Sequence, residues 1–403
     1  MNYRPTSIRM LQLYMLAMLF FTANSILTVI FPLQAADGGM LEGEIGIMMG
    51  LYMFTCMILR PWAGQMVAKY SVYKIMKWLL IGHALTLMIY ILFTVDSLYV
   101  VRAMQGVVTA FFSMAMQLGI AEVLKDRDRG QGMAMYSLST VMPSLYGPAL
   151  ALMLWGQWSL DILFITIGLL AIVPFLFFIK SPLPKSVQPN ASFSLKELVL
   201  EAIAVRKNKA LLVSSITMVV GSAIFGALTI FIPLYMVVEG EGNAPLYLFL
   251  QALVVVGSRY TLKKYIPSDG MWHPTFISLV LLSSTMGTLI LAFAPALGNF
   301  VYIASIFIGF ATAMLYPTLT TYISFVIPKE KKHVLFGLLL ASYDLGFSLG
   351  GLMLGFVVQF TSYSTMFIVC SFMTLAVIFV IYYYRYTIDN GPDIHLEEKK
   401  MIR

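Results

Sequence analysis

Charge is what this sequence has least of. Charged residues make up 11% of its 403 positions, against about a quarter in a soluble domain, while 60% are hydrophobic and the mean hydropathy is +0.85. A water-soluble domain or a disordered chain is excluded on that balance. Cysteine is nearly absent: Cys56 and Cys370 are the two, and both fall inside apolar runs, so no disulfide framework is expected. His, Cys, Asp and Glu never cluster at metal-ligand spacing, and no metal or other cofactor is expected. A phosphate-cradling GxxxxGKS or GxxxxGKT is missing, which argues against direct use of ATP. So is any convincing nucleophile and base pair, and the chain is not read as an enzyme. A receptor reading lacks a sizeable soluble domain. Short alternating segments are also missing, which sets aside a β-barrel.

What remains is a series of long apolar runs, each able to cross about 30 Å of hydrocarbon as a helix. They span roughly 10–34, 45–68, 74–94, 97–123, 132–155, 159–180, 210–238, 245–262, 272–293, 297–326, 334–360 and 363–386. Twelve transmembrane helices in an all-α membrane protein are predicted. The first run exceeds a signal-peptide core, and "FPLQAADGG" lacks a small-x-small cleavage site, so that helix is expected to be retained. Lys and Arg collect in every second connection and at both termini, from Arg4 and Arg9 through "KYSVYKIMK" and "KDRDR" to the tail after Arg385. The alternate connections hold Asp37, Glu42, Glu44 and Glu239 but no basic residue. The positive-inside rule then places both termini in the cytoplasm of a multi-pass cell-membrane protein. The net charge of +7 is this topological signal and not nucleic-acid affinity.

One long connection, 180–209, divides the runs six and six. The expected organisation is an N-terminal six-helix half (1–180), a linker (181–209), a C-terminal six-helix half (210–386) and a cytoplasmic tail (387–403). Within the linker, Ser194 and Glu197 read as a capping box ahead of Leu195, Leu198, Val199 and Ile203, an amphipathic pattern suited to a membrane surface or a partly ordered linker. Faint repetition supports two related halves. "IFPL" (30–33) and "FIPL" (231–234) close the first and seventh runs, and "LYMF" (51–54) and "LYLF" (246–249) lie in the second and eighth, each followed by an arginine, Arg60 or Arg259.

The polar residues inside the runs can be weighed singly, because each is costly there. Asp344 is ten residues into the eleventh run, about 15 Å deep and near the midplane. A carboxyl at that depth needs a cation, a hydrogen-bonded pocket or water, and can load and release a proton. Its alternative is a structural Asp held by hydroxyls of a neighbouring helix. Asn24 is near the middle of the first run, a substrate contact or a packing hydrogen bond. In "MLYPTLTTY" (314–322), Pro317 frees backbone groups while Tyr316, Thr318 and Tyr322 offer hydroxyls to a cavity. Arg60 and Arg259 lie toward the inner ends of their helices, in structural or gating roles.

Several motifs give the chain a family resemblance over essentially its whole length. "LYVVRAMQG" (98–106) is similar to motif B of the major facilitator superfamily, "YGPALA" (146–151) resembles part of its antiporter motif C, and "RPWAGQMVAKYSVYK" (60–74) resembles motif A. Departures are Ala68 for the motif A Asp, Ser71 for its Gly, and Ala151 and Leu152 where motif C has paired glycines. Stretches such as "LFFTANSILTVIFPL", "KKYIPSDGMWHP" and "DLGFSLGG" further resemble exporters of staphylopine-type opine metallophores.

The resemblance implies the major facilitator fold, with helices 1, 4, 7 and 10 lining a central cavity and 3, 6, 9 and 12 facing lipid. It implies proton coupling or substrate contact for Arg102, with a structural tie between helices as the alternative, and joins Arg102 to Asp344, whose depth already marks it for proton coupling. Taken with the depths above, the expected substrate contacts are Asn24, Gln105, Tyr316, Tyr322 and Asp344, Gln105 having an interhelical hydrogen bond as its equal alternative, and gating or structural roles are expected for Arg60, Arg259, Gly147 and Pro148. The function expected is a monomeric proton-coupled antiporter exporting a small polar, zwitterionic metallophore by alternating access. Its partners are then protons, that substrate and the lipid bilayer, with any metal travelling on the substrate. The alternatives are a multidrug efflux antiporter, and behind it an uptake symporter or a non-transporting membrane protein.

Overall fold

Apolar sequence in lipid has no water to satisfy its backbone, so helices that bond internally are the economical solution. The computed structural model is built that way, and it describes residues 3–156, 160–179, 181–183, 209–240, 242–262, 265–267, 269–326 and 332–389. The linker's amphipathic pattern lies outside the described residues. Its long helices are α1 (Ile8–Asp37), α2 (Glu42–Lys69), α3 (Val72–Phe93), α4 (Leu98–Val123), α5 (Asp126–Val141), α6 (Pro143–Gly156) and α7 (Leu160–Phe178). They continue with α8 (Lys209–Val238), α9 (Ala244–Thr261), α10 (Pro274–Ala292), α11 (Tyr302–Val326), α12 (Lys332–Phe360) and α13 (Tyr363–Asp389). Ten stretches among the described residues are long and apolar enough to cross a membrane, one of them, 72–120, being α3 and α4 joined by a 3-10 turn.

Two runs differ from their sequence spans. The fifth is split at Met142, since Pro143 has no amide to continue the ladder and disfavours helix before it. The tenth starts only at Tyr302, after a helical turn at Ala294–Leu297 and Gly298 at φ +53°, a conformation that favours glycine.

The helix pairings repeat. In the first seven helices α1 packs on α5, α6 and α7, α2 on α4, and α3 on α4 and α7. In the remainder α8 packs on α12 and α13, α9 on α11, and α10 on α11 and α13. Across the two sets α2 meets α12, α6 meets α9 and α1 meets α8. Ile165, Leu169, Ile172 and Leu176 of α7 form an exposed apolar stripe, as do Phe372, Leu375 and Phe379 of α13, the surface a lipid-facing helix presents.

Without a hydrophobic drive between helices in lipid, close packing and hydroxyl bonds hold them together. Thr285 and Thr374 share a hydrogen bond of 2.6 Å and Thr288 and Ser371 one of 2.7 Å, tying α10 to α13. Glycine is used most on α12. A Cβ at Gly346 or Gly350 would strike the backbone of α8 at Val219 or Ala223, and one at Gly351 would lie 3.0 Å from the Gly46 carbonyl of α2. On the facing helix, a Cβ at Gly46 would collide with the Gly351 carbonyl and one at Gly50 would lie 2.8 Å from that of Ser348. The seam continues outward to Gly43, whose amide donates to Gln359 Oε1 at 3.2 Å. Thus α12 is wedged between α2 and α8 with its backbone close to both.

The connection between α9 and α10 folds back under the end of α11. Trp272 is buried against the Tyr322 ring, centroids 4.9 Å apart, and Asp269 accepts from the Met271 amide at 3.0 Å and pairs with His273 at 2.8 Å. The amide and His273 hold the Asp269 carboxyl below its ordinary pKa. A depressed carboxylate contributes at neutral pH and loses its contribution as pH falls through the lowered value. Hydrogen exchange at the Met271 amide should therefore be slow near neutrality and accelerate on acidification past that point, an acceleration Asp269→Ala should reproduce at neutral pH.

Candidate functional site

The seam between α2 and α12 carries an ion pair. Arg60 donates to Asp344 with two nitrogens, Nε to Oδ2 and Nη2 to Oδ1, the latter at 3.0 Å. The Asp344 side chain is 1% exposed and that of Arg60 24%, so the acid is sealed between helices while the guanidinium keeps one side open. Asp344 comes from the middle of α12, and Gly351 of α12 with Gly46 and Gly50 of α2 lets those two helices approach closely. Cys56, one turn before Arg60, is buried and interacts electrostatically with the same guanidinium. Tyr316 of α11 and Tyr343 of α12 stack edge to face with ring centroids 5.4 Å apart, and both interact electrostatically with Arg60 and Asp344. Tyr136 of α5, hydrogen-bonded to Gln117, also interacts with Arg60. Tyrosine hydroxyls here supply polar contacts without adding charge.

A second polar cluster is centred on Arg102 of α4, 1% exposed. Its Nη1 donates to Gln105 Oε1 at 3.1 Å, and its Nη2 to the Leu27 carbonyl at 3.3 Å and to Met49 Sδ at 2.9 Å. The guanidinium carbon is 4.7 Å from the Phe31 ring centre and 5.6 Å from that of Tyr52. Aromatic faces and a carbonyl thus stand where a carboxylate would be, and the planar fork suits them. Tyr52 donates to Thr109 Oγ1 at 3.3 Å, and Asn24 Nδ2 reaches the same hydroxyl at 3.3 Å. Oδ1 of Asn24, Nε2 of Gln105 and Nε of Arg102 are buried without hydrogen-bond partners among the described residues. Replacing Arg102 by Lys keeps the charge but cannot reproduce this set; a loss of about 1–3 kcal/mol is expected, read as a fall in the thermal midpoint of the purified protein.

The residues singled out in the sequence therefore divide. Asn24, Gln105 and Arg102 share one cluster, and Asp344, Arg60 and Tyr316 the other. The cation paired with Asp344 is Arg60, while Arg102 lies in the other cluster. Tyr322 packs its ring against Trp272. Gly147 lets α6 close on α1, where a Cβ would lie 2.8 Å from that of Ser25, and Pro148 follows inside α6. Arg259 of α9 stands near Tyr343 and Tyr316. Cys56, Tyr343, Tyr52 and Thr109 escaped the sequence reading; the Cys56 to Arg60 spacing of one helical turn was the available signal.

Among the described residues the molecule is helical, and a buried ion pair joins helices remote in sequence. A sequence profile of the Major Facilitator Superfamily matches residues 13–281 and 272–400, and the chain belongs to that family. It is a multi-pass membrane protein and a transporter. It is 40% identical over 372 residues, 91% of this chain and 94% of the relative, to the staphylopine export protein of Staphylococcus aureus. Among solved structures it is similar to a mutant of the nucleoside transporter NupG, with a TM-score of 0.77 at 15% identity over 92% of this chain and 98% of that one. It is also similar to a bacterial homolog of the human lysosomal transporter Spinster in an inward-facing, unoccupied conformation, with a TM-score of 0.75 at 12% identity over 95% and 98%.

Proposed function

We propose that this protein exports a small polar, carboxylate-bearing molecule of the opine-metallophore type, such as staphylopine, by proton-coupled antiport. The observation that carries the reading is the Arg60–Asp344 pair, a titratable acid whose cation comes from the other set of helices. With Asp344 ionised, the pair locks α2 to α12; protonating it removes the attraction and frees Arg60, so proton uptake and helix separation become one event.

Alternating access needs two bodies that rock. The repeated pairings support two six-helix halves, with twelve crossings if α5 and α6 count as one and α9 is included. The halves are residues 1–180 and 210–386, joined by the 181–209 linker, with a cytoplasmic tail at 387–403. Contact of α2 with α12 and of α6 with α9 closes the end opposite the termini, and the basic connections assign that end to the outside of the cell membrane. The substrate class draws support from the staphylopine export relative and from two arginine-containing polar clusters, which suit carboxylates better than a lipophilic cation.

Proteoliposomes holding the full chain test this. An imposed proton gradient should drive staphylopine against its concentration gradient, with counterflow of protons reported by a pH dye. Movement of a cationic dye but not of staphylopine would favour multidrug efflux, and movement of neither would overturn the antiporter reading.

A further inference from the structure

The outer wall of α3 has a basic foot. Trp78, Leu85 and Leu92 stand seven residues apart, two helical turns each, and all three are exposed, so they form one apolar stripe. Lys74 lies one turn before Trp78, at the start of that stripe, and Lys77 stands three residues on from Lys74. Both lysines are exposed. Together with Ser71, Tyr73 and Trp78 they line a pocket of about 430 Å³. Tyr73 is held against Phe178 at the end of α7, ring centroids 4.6 Å apart, which fixes one wall. The start of α3 packs with the start of α1, Val72 and Met76 sharing a core with Met10 and Leu13. The pocket is therefore at the end of the molecule where α1 begins, the end that the topology proposed above puts in the cytoplasm.

Two ammonium groups one turn apart repel each other, and an anion shared between them removes that penalty. A soluble anion would need only the charges. Here the pocket shares Trp78 with the apolar stripe, and an indole 70% exposed suits the level between headgroups and hydrocarbon. Positive charge at the foot and an apolar surface above it fit an amphiphile. We infer that Lys74 and Lys77 bind the phosphate of an anionic phospholipid whose acyl chains lie along the α3 stripe. Each ammonium donates to a non-bridging phosphate oxygen, and the Trp78 ring covers the glycerol region. Leu85 is about 12 Å along the helix from Lys77, within half of a hydrocarbon core about 30 Å thick, so one leaflet accommodates the chains. A headgroup of net negative charge is selected over phosphatidylcholine, whose quaternary ammonium would bring a third cation to the pocket. The choice of inner leaflet rests on the topology above; the lipid site does not.

The test uses the purified full chain in a neutral detergent with three probes: phosphatidylglycerol, phosphatidylcholine and glycerol 3-phosphate, the last a phosphate without acyl chains. Native mass spectrometry of the protein titrated with each gives an affinity. Wild type should bind phosphatidylglycerol about tenfold more tightly than phosphatidylcholine, and should leave glycerol 3-phosphate unbound at the same concentrations. The double variant Lys74→Gln with Lys77→Gln should lose about tenfold or more of the phosphatidylglycerol affinity, while Lys74→Arg with Lys77→Arg should keep most of it. Lys125→Gln alters an exposed lysine that does not line the pocket and should change nothing. Undiminished phosphatidylglycerol affinity in the double glutamine variant would overturn the inference, as would a wild type without preference over phosphatidylcholine. Lysine-dependent binding of glycerol 3-phosphate as tight as that of the phospholipid would mark a soluble-phosphate site and overturn the lipid assignment.

A second measurement needs no lysine variant and decides the matter if the double glutamine protein does not fold. The fluorescence of Trp78 is the difference between wild type and Trp78→Phe, both in phosphatidylcholine nanodiscs. Phosphatidylglycerol brominated on its acyl chains should quench that signal at a several-fold lower mole fraction than brominated phosphatidylcholine, and the preference should shrink as salt screens the exposed lysines. Quenching by both lipids at equal mole fractions is what unselective contact with the bilayer gives, and would overturn the inference.

Discussion

Asp344→Asn is expected to abolish proton-driven transport while leaving a folded, monodisperse protein. The substitution keeps the shape and one hydrogen-bond acceptor but removes the charge that holds Arg60. Breaking a buried pair from one side typically costs about 3–5 kcal/mol because the surviving ion is stranded. Arg60 retains 24% exposure and can turn toward water, so the cost here should fall at the lower end of that range. The telling comparison is the double variant Arg60→Met with Asp344→Leu. It removes both charges, should recover most of the lost thermal stability, and should still transport nothing against a gradient. If Asp344→Asn moves cargo uphill as well as the wild type, Asp344 has no coupling role. If the double variant does so, the pair is structural only.

The second large effect is expected from Gly46→Leu. A single Cβ at Gly46 already collides with the Gly351 carbonyl, and backbone cannot step aside as a side-chain tip can. Four added carbons should therefore force α2 away from α12 along the seam that runs from Gly43 and Gln359 to Arg60 and Asp344. On the alternating-access reading proposed above this seam holds one side of the transporter shut, and the variant should open that side. Labelling of a cysteine introduced at Gln359 by a membrane-impermeant maleimide should rise several-fold, and transport should fall to background because the closed arrangement can no longer be reached. Gly39→Leu is a suitable control, since no atom lies within 4 Å of a Cβ there, although its φ of +81° makes some local strain unavoidable. Labelling that stays at the wild-type level in Gly46→Leu would mean the seam yields locally and does not gate.

The helical class was legible from elementary physics: too few charges for water and runs long enough for lipid leave a helical membrane protein. Residue composition also carried the special status of Asp344, because an acid among Leu, Phe and Gly in a membrane run is expensive wherever it ends up. Motif B led to Arg102, and the structure finds it fully enclosed. Hydropathy was less informative where a run is short and polar: α9 carries Gln251, Ser258 and Arg259 and is not among the ten strongly apolar stretches, although it forms as a helix. The break at Met142 was likewise hidden, since a proline inside a membrane run is tolerated as often as it interrupts, and Pro148, Pro174 and Pro317 sit within continuous helices.

What the sequence by itself determined is an inventory: that the chain is a series of long apolar helices, which connections between them are basic, and which few residues within them bear charge. Periodicity and composition act along one helix at a time, so they hold no information about which helix lies beside which. The pairing of Asp344 with Arg60 rather than Arg102, separated from it by 284 positions, was decided by tertiary structure alone. Its physical cause is the run of glycines on α2 and α12, which lets these two backbones approach more closely than side chains would permit and brings an acid and a base on opposite walls of the seam into contact.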